Sequence, residues 1–313
     1  MKISIIVPCY NEEKNVSVIY EAINKLFYNK KYKYEILFVN DGSKDETLKN
    51  LKEIANKATD NVKVINFSRN FGKEAAMYAG LKESDGDFVA IIDADMQQNP
   101  ILLIKMMNIL EKDEDIDCVA AYQDERKEGF ILRFFKKRFY KLINKMTEVE
   151  FKDGASDFRL FRRNMVDAIL SMTEYYRFSK GIFSFVGFNT YYMPYQVEKR
   201  LNGKTKWSFK KLFKYAIDGI VSFTTTPLKV STILGMLISF CSFVYLIVIV
   251  VKTLIMGIDV PGYASLLGVV LLLGGIQLLA LGIIGEYLAR TYIENKRRPI
   301  YITKEIIKSK KDK

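Results

Sequence analysis

Short runs of apolar, β-branched residues alternate with amphipathic stretches along the first 122 residues of the chain. The runs predict β-strands, and the stretches between them place apolar residues at helical spacing. The predicted strands are Ile3–Pro8, Glu35–Asn40, Val62–Phe67, Phe88–Asp93 and Cys118–Ala121. The predicted helices are Lys14–Phe27, Asp45–Lys57, Lys73–Glu83 and Ile101–Glu111. Alternation of this kind favours an α/β fold with an open, mostly parallel sheet.

Two long apolar runs near the C-terminus follow a different pattern. Val230–Val251 and Ala264–Gly285 each contain 22 residues without a charge. A helix of that length spans about 33 Å, enough to cross a hydrocarbon core of about 30 Å. The alternative is a pair of buried core helices in a soluble domain. We expect two transmembrane helices within residues 226–290, after a domain of residues 1–225 and before a basic tail of residues 291–313.

The charges predict how such a hairpin lies in the membrane. The chain has 48 Lys and Arg against 36 Asp and Glu, a formal net charge of +12. Residues 126–152, 198–229 and 286–313 carry net charges of +6, +6 and +5, whereas the loop between the apolar runs holds one lysine and one aspartate. The positive-inside rule then predicts a multi-pass protein of the cell membrane, with the large domain and both termini in the cytoplasm.

A basic balance is also typical of nucleic-acid-binding proteins. Here the positive charge lies beside membrane segments, which favours anionic headgroups or a phosphorylated lipid as partners and predicts no nucleic acid. Two of the basic stretches, about 130–146 and 207–222, also repeat apolar residues at helical spacing. They predict amphipathic helices in the membrane interface, with packing on the domain as the alternative.

The composition excludes several kinds of chemistry. The chain has no histidine, and its three cysteines lie far apart without a CxxC pair. A disulfide scaffold, a Cys/His zinc site and any catalytic triad that needs imidazole are therefore excluded. Carboxylates, basic groups, hydroxyls and a hard metal ion remain.

Polar clusters follow the predicted strands at their carboxyl ends. They are Tyr10-Asn11-Glu12-Glu13, Asp41-Gly42-Ser43, Arg69-Asn70 and Asp93-Ala94-Asp95. Open parallel sheets bind ligands at this edge, and no GxGxxG or P-loop sequence is present. Two carboxylates at i and i+2 after a strand can converge on Mg²⁺ or Mn²⁺, usually together with substrate phosphates.

The order and spacing of several motifs resemble the family-2 glycosyltransferases with the GT-A fold. Within that family they resemble the polyprenyl-phosphate glycosyltransferases, relatives of dolichyl-phosphate mannose synthase. The motifs are Val7-Pro-Cys-Tyr-Asn-Glu-Glu13, Val39-Asn-Asp-Gly-Ser43, Ser68-Arg-Asn-Phe-Gly-Lys73, Asp93-Ala-Asp-Met-Gln97, Ser156-Asp-Phe-Arg159, Arg200-Leu-Asn-Gly-Lys-Thr-Lys206 and Asp218-Gly-Ile-Val-Ser-Phe223. The chain departs from the family at Gln98, where an acidic residue is usual, and at Thr205, where serine is usual.

The resemblance implies a UDP-sugar donor and a Mg²⁺ or Mn²⁺ ion. In this interpretation Asp41 accepts the uracil N–H, Glu12 accepts ribose hydroxyls and Tyr10 packs on the base. The implied nucleotide-binding set is Pro8, Tyr10, Asn11, Glu12, Asp41, Arg69, Lys73, Asp93 and Ala94, and the implied metal set is Asp93, Asp95 and Gln97. As alternatives, Glu12 and Asp41 cap helices, and Arg69 and Lys73 are solvated loop charges.

The implied acceptor is a polyprenyl phosphate such as undecaprenyl phosphate. A lipid monophosphate is largely ionised at neutral pH, so it needs positioning and charge neutralisation rather than a strong base. The residues expected to bind the acceptor or the diphosphate are Arg126, Arg133, Arg200, Lys204, Thr205 and Lys206. The resemblance places Asp157 near the reacting centre, as a base or as the residue that orients an arginine such as Arg159.

The expected reaction is therefore an inverting transfer of a sugar, with glucose as the common choice in the family, to make a donor for cell-envelope glycans. The resemblance also implies a homo-oligomer, a tetramer in relatives. Three alternatives stay open: a processive polysaccharide synthase, a mannose synthase that uses GDP-mannose, and a membrane adaptor without activity. The first resembles the N-terminal half but carries a Q-x-x-R-W motif, which Gln196-Val-Glu-Lys-Arg200-Leu does not match.

Overall fold

A computed structural model of the chain describes residues 1–28, 32–58, 61–123, 138, 144, 152, 154–196, 219–256 and 262–309. Two units divide the chain. The first, the catalytic unit, comprises Met1–Gly219 and Arg298–Lys313, and the second, the hairpin unit, comprises Ile220–Arg297.

The catalytic unit is built on one sheet of eight strands, flanked by helices. The strands are β1 (Lys2–Cys9), β2 (Lys33–Asn40), β3 (Val62–Phe67), β4 (Phe88–Ile91), β5 (Cys118–Gln123), β6 (Ala155–Arg162), β7 (Thr190–Tyr195) and β8 (Thr303–Lys308). The helices are α1 (Val16–Phe27), α2 (Thr47–Lys57), α3 (Lys73–Glu83), α4 (Leu102–Lys112), α5 (Arg163–Ser171) and α6 (Ser179–Phe185).

The sheet is mostly parallel, as the sequence predicts. Its strand order is β7-β5-β6-β4-β1-β2-β3-β8. The central strands β4, β1, β2 and β3 run parallel to one another, and β6 and β8 pair antiparallel with β4 and β3. The predicted fold class, an α/β domain with a mostly parallel sheet, is confirmed by this architecture.

The hydrophobic core explains why these segments form these elements. Strand β1 is covered by helices on both faces, so side chains that point to either face are buried, and Ile3, Ile5, Ile6 and Val7 are fully buried. Helix α1 instead buries one stripe of residues at helical spacing. Helix α3 packs so closely on the sheet that a Cβ on Gly80 would lie 2.3 Å from Cγ2 of Ile6.

The last strand, β8, is an element that the sequence does not reveal. Residues 291–313 read as a basic tail, but the segment Arg298–Lys313 belongs to the catalytic unit, and Thr303–Lys308 pairs with the edge strand β3. Its residues alternate between partly buried and exposed, as expected of a strand with one covered face. Six residues are too short a run for periodicity to separate a strand from a polar tail.

The hairpin unit contains two long helices, α7 (Thr226–Met256) and α8 (Tyr263–Asn295). Both are long and apolar enough to cross a bilayer. Their large apolar side chains are exposed, for example Phe240 at 67% and Leu272 at 64%. Core helices of a soluble domain bury such side chains, so the structure contradicts that alternative.

Candidate active site

Four loops leave the parallel strands at the same edge of the sheet. They follow β1, β2, β3 and β4, and the strand order changes direction between β1 and β4. Ligands bind at such switch points in open α/β sheets. The structure thus gathers at one edge the loops that carry the residues expected to bind a nucleotide.

Hydrogen bonds join the loops after β1 and β2. The Asn11 N–H donates to Ser43 Oγ at 2.9 Å, and Asn11 Oδ1 accepts the Lys44 N–H at 2.9 Å. The Glu12 N–H donates to Thr47 Oγ1 at 2.8 Å. Asn11 has a φ of 53°, a left-handed conformation that asparagine tolerates. Tyr10 and Pro8 are half-buried beside this pair of loops.

Asp41 joins the loop after β2 to the loop after β3. Its Oδ1 accepts the Phe71 N–H at 2.6 Å, and its Oδ2 accepts the Gly72 N–H at 3.0 Å and Asn70 Nδ2 at 2.8 Å. The residue is 3% exposed. Burial raises the pKa of Asp41, and the N–H groups of Phe71 and Gly72 offset this only in part. A carboxylate has about four acceptor positions, so one remains for a further donor.

Gly42 is required where these two loops meet. Its φ is +62°, and a Cβ there would lie 2.4 Å from the Arg69 carbonyl carbon and 2.5 Å from the Asn70 nitrogen. Any larger residue would push the loop after β3 away from the sheet edge. In the same loop, the Arg69 guanidinium lies 4.1 Å from the ring centroid of Phe71. Arg69 is exposed on the surface of this loop.

The Asp93-Ala94-Asp95 motif lies in the turn after β4, where Met96 has a φ of 59°. Gln98 is 5% exposed and binds both the backbone and the carboxylate of Asp93. Its Oε1 accepts the Asp93 N–H at 3.0 Å, and its Nε2 donates to Asp93 Oδ2 at 3.1 Å. An ionised carboxylate at residue 98 could not donate the second bond, so the departure from the family pattern creates this contact.

Asp95 and Gln97 lie on the same turn, where Asp95 Oδ1 accepts the Gln97 N–H at 3.2 Å. Ala94 is buried between the two carboxylates. Within the described ranges no group of three or more His, Cys, Asp or Glu side chains is arranged to hold a metal ion. Two carboxylates nonetheless fit Mg²⁺ or Mn²⁺, because these ions use one or two protein carboxylates and take further ligands from water and substrate phosphates.

Lys73 connects this motif with the carboxylate expected at the reacting centre. Its Nζ lies 2.7 Å from Asp93 Oδ1 and 2.8 Å from Asp157 Oδ2. Strand pairing explains the meeting: Ile91 pairs with Arg159 across the antiparallel β4–β6 ladder, Asp93 comes two residues after Ile91 and Asp157 two before Arg159.

The charges of this cluster shift the pKa values of its members. Burial alone would raise the pKa of Asp157, but the positive charges of Lys73, Lys180 and Arg159 together outweigh it and hold that pKa well below its usual range. Desolvation lowers the pKa of Lys73, and the charges of Asp157 and Asp93 together raise it well above the ordinary value. Asp157 Oδ1 is buried and has no hydrogen-bond partner within the described part of the chain. Arg159, the other expected partner, donates from Nε to the Ser156 carbonyl at 3.3 Å.

Glu74 is a residue of this cluster that sequence reasoning missed. Its Oε2 accepts the Ser179 N–H at 2.9 Å and also the Ser179 hydroxyl, which fixes the start of α6 against the start of α3. Burial, together with the charge of Asp157, raises the pKa of Glu74 to about 7. Its place beside Lys73 in the sequence was the only signal, and sequence position alone does not show burial.

The six residues expected to bind the acceptor phosphate lie outside the described residues. They are Arg126, Arg133, Arg200, Lys204, Thr205 and Lys206. The amphipathic segments about 130–146 and 207–222 also lie outside them, apart from 138, 144 and 219–222. These expectations therefore stay predictions.

Comparisons with known proteins place this site in a family. The family model "Glycosyl transferase family 2" matches residues 4–170 of the chain. The chain belongs to family 2 of the glycosyltransferases. The model "GtrB C-terminal hairpin" matches residues 226–291, which contain α7 and most of α8. The adaptor alternative is wrong, since the chain is a glycosyltransferase.

Curated relatives of this glycosyltransferase match it along nearly its whole length. The "Prophage bactoprenol glucosyl transferase homolog" of Escherichia coli is 40% identical over 311 residues, covering 98% of this chain and 100% of the relative. The "Bactoprenol glucosyl transferase" of Shigella phage SfV is 41% identical, covering 97% and 98%. A Synechocystis protein named "Uncharacterized glycosyltransferase sll0501" is 42% identical, covering 98% and 96%.

Proposed function

We propose that this glycosyltransferase moves glucose from UDP-glucose to a polyprenyl phosphate such as undecaprenyl phosphate, with inversion at the anomeric carbon. The observation that carries the proposal is the whole-length similarity, hairpin included, to a protein named bactoprenol glucosyl transferase. The product is a lipid-phosphate sugar that serves as a donor for cell-envelope glycans.

The described loops supply a coherent donor site for this reaction. Tyr10 packs on the base, and Glu12 accepts the ribose hydroxyls. The remaining acceptor position of Asp41 is available for the uracil N–H, because its other positions hold Asn70, Phe71 and Gly72. Arg69, on the loop surface, pairs with the donor phosphates.

Asp95 and Asp93, with Gln97 beside them, are the residues that would hold Mg²⁺ or Mn²⁺. The ion would supply positive charge that offsets the negative charge gained by the leaving diphosphate. Asp93 presents this carboxylate in a fixed position, since Gln98 and Lys73 hold its two oxygens.

Asp157 acts as an orienting carboxylate in this proposal, not as a base. Its Oδ2 is paired with an ammonium at 2.8 Å, and a carboxylate held ionised in this way is a poor proton acceptor at neutral pH. The acceptor phosphate is already ionised and does not require one. We propose that Lys204, Lys206, Thr205 and the arginines at 126, 133 and 200 bind that phosphate, and that Asp157 orients one of these arginines.

The hairpin brings the reaction to the membrane. We propose that α7 and α8 span the bilayer, with the catalytic unit and both termini in the cytoplasm, as the basic flanks indicate. The segments about 130–146 and 207–222 lie in the interface in this proposal, and the protein is a tetramer.

A reconstituted assay tests the proposal. The purified full-length chain is incubated with Mg²⁺ or Mn²⁺, undecaprenyl phosphate and one sugar nucleotide at a time, from a panel of UDP- and GDP-sugars. We expect glucosyl-phosphoundecaprenol by mass spectrometry with UDP-glucose. The Asp95→Asn variant and a chelator-treated sample serve as controls that should make no product. Product only from GDP-mannose would refute the donor, polymeric product would favour the processive synthase, and full activity in chelator would refute the metal.

A further inference from the structure

The segment of residues 299–308 lies outside both family matches, which cover residues 4–170 and 226–291, yet it belongs to the catalytic unit. We propose that this segment is a positioning element of the donor site, in which Tyr301 and Glu305 hold the loops after β2 and β3 in the geometry that binds the nucleoside diphosphate. The inference rests on the proposed function, because the ligand it concerns is the UDP moiety of the donor.

The direction of β8 brings the start of this segment to the donor edge. Thr303 pairs with Phe67 at the carboxyl end of β3, and Lys308 pairs with Lys63 at the opposite end. Just before the strand, the Ile302 carbonyl accepts the Ser68 N–H at 3.0 Å. Ser68 is the first residue of the loop that carries Arg69 and reaches Asp41, so the segment contacts the loop where it leaves the sheet.

Aromatic rings extend the contact into the loop. Tyr301 stacks on Phe67 with ring centroids 4.9 Å apart and an interplanar angle of 18°. Phe67 in turn meets the edge of Phe71 at 5.8 Å and 90°, and Phe71 carries the Arg69 guanidinium at 4.1 Å. Phe71 is also the residue whose N–H binds Asp41 Oδ1. Loss of the Tyr301 ring would therefore loosen the packing of Phe67 and Phe71, and Phe71 contacts both Asp41 and Arg69.

Glu305 reaches the loop after β2 by a second route. Its Oε1 accepts Asn66 Nδ2 at 3.1 Å, and Asn66 Oδ1 accepts Asn40 Nδ2 at 2.8 Å. Asn40 immediately precedes Asp41. Lys52 on α2 lies 2.9 Å from the same carboxylate and keeps it in place. Asn40 and Asn66 are both buried, and a buried polar group that loses its hydrogen-bond partner is costly. Water cannot easily replace the Glu305 carboxylate there, so loss of Glu305 should shift Asn66 and, through it, Asn40.

In the contacts described above, Tyr301 and Glu305 reach the loops after β2 and β3, and neither contacts the loops after β1 and β4. Their effect is therefore expected on donor affinity and not on the acceptor. An aromatic pair contributes modestly beyond its buried area, which corresponds to about a three- to tenfold weaker affinity for UDP in Tyr301→Ala. Glu305→Ala should weaken the affinity for UDP by a similar factor.

Calorimetry of UDP binding to the full-length chain, with Mn²⁺ present, tests the inference. Tyr301→Phe keeps the ring stack and should bind UDP as the wild type does. Lys308→Ala changes the far end of the same strand and is the matched control, with unchanged affinity. In steady-state assays, Tyr301→Ala should raise the KM for the sugar nucleotide and leave the KM for undecaprenyl phosphate unchanged.

Different results overturn different statements. A lower melting temperature of Tyr301→Ala and Glu305→Ala with wild-type UDP affinity would show a purely structural strand and overturn the inference. If Tyr301→Ala did not fold, the Glu305→Ala and Tyr301→Leu variants would decide by the same measurement. If the wild type bound GDP and not UDP, the proposed donor would fail, and the same comparison made with GDP would still decide whether the segment positions the site.

Discussion

Two carboxylates of the catalytic unit, one in a loop and one in a strand, lie in opposite electrostatic surroundings. Asp41, after β2, is surrounded by the neutral donors of Asn70, Phe71 and Gly72, and burial raises its pKa. Asp157, at the start of β6, faces the Lys73 ammonium. Burial acts to raise its pKa as well, but the positive charges of Lys73, Lys180 and Arg159 together outweigh it, and the pKa falls.

The difference separates a structural clamp from a charged centre. Neutral N–H groups fix the direction of the Asp41 oxygens and thereby the shape of the loop after β3. An ammonium instead keeps Asp157 ionised and links it to Asp93. We therefore expect substitutions at Asp41 to change donor affinity, and substitutions at Asp157 and Lys73 to change the rate of transfer.

The largest effect is expected for Asp157→Asn. The substitution keeps the shape of the side chain but removes the charge that pairs with Lys73 and, in our proposal, orients an arginine on the acceptor phosphate. Removal of one group that stabilises charge in the transition state lowers kcat by about a hundred- to thousandfold. Initial rates of glycolipid formation measure the loss, and UDP affinity should stay near that of the wild type. A loss of UDP affinity with an unchanged kcat would instead assign Asp157 to the donor site.

Lys73→Met should lower kcat/KM by about ten- to a hundredfold, because one charged hydrogen-bonding group is lost. If Lys73 acts through Asp157, the double variant Lys73→Met/Asp157→Asn should be no slower than Asp157→Asn alone. Lys82→Met removes the same charge from the last turn of α3 and is the matched control. Additive losses would show that Lys73 binds the donor independently of Asp157.

Asp41→Asn should weaken UDP binding by about three- to tenfold, with little change in kcat. An amide NH₂ would face an N–H donor where a carboxylate oxygen now accepts, so one of the bonds to the loop after β3 is lost. Calorimetric UDP affinity measures the effect. A large loss of kcat at saturating UDP-glucose, with unchanged affinity, would contradict the assignment of Asp41 as a clamp.

The parallel part of the sheet could be predicted from sequence because its local and global signals agree. Strands β1 to β4 are buried on both faces and lie between helices, so each gives an apolar run and a polar turn. The predicted and observed limits of β3 and α3 are the same, Val62–Phe67 and Lys73–Glu83. The proximity of the four loops then follows from parallel pairing alone.

The cluster of Lys73, Asp93 and Asp157 could not be assembled from the sequence in the same way. Asp157 meets Lys73 only because β6 runs antiparallel to β4. The basic stretch of residues 126–152 precedes it, so no periodicity shows the pairing. Gln98 was noted only as a departure from the family pattern, and Glu74 was missed, because the contacts of both depend on burial, which a single polar residue in a sequence does not reveal. The β8 segment was missed because its partner, β3, lies more than 230 residues earlier.

The smallest effect is expected for Glu74, and it concerns the melting temperature. Like Asp41, Glu74 is a buried carboxylate bound by neutral donors, so its stability contribution should depend on pH. Its hydrogen-bond partner Ser179 is neutral. Burial raises the pKa of Glu74 to about 7, above the 4.5 of an exposed glutamate. Below pH 4.5 the folded and unfolded chains are both protonated at this residue, so it contributes nothing to pH dependence. Between pH 4.5 and about 7 the unfolded chain releases the proton and the folded chain retains it, which destabilises the fold as the pH rises. Glu74→Gln, which cannot ionise, should therefore melt at least a few degrees above the wild type at pH 8. The two melting curves should converge toward pH 5, measured by the intrinsic fluorescence of the detergent-purified chain, and the exposed Glu21→Gln on α1 should show no such pattern. Parallel curves at all pH values, with Glu74→Gln lower, would show that the carboxylate is ionised in the fold and is held as Asp157 is, by positive charge.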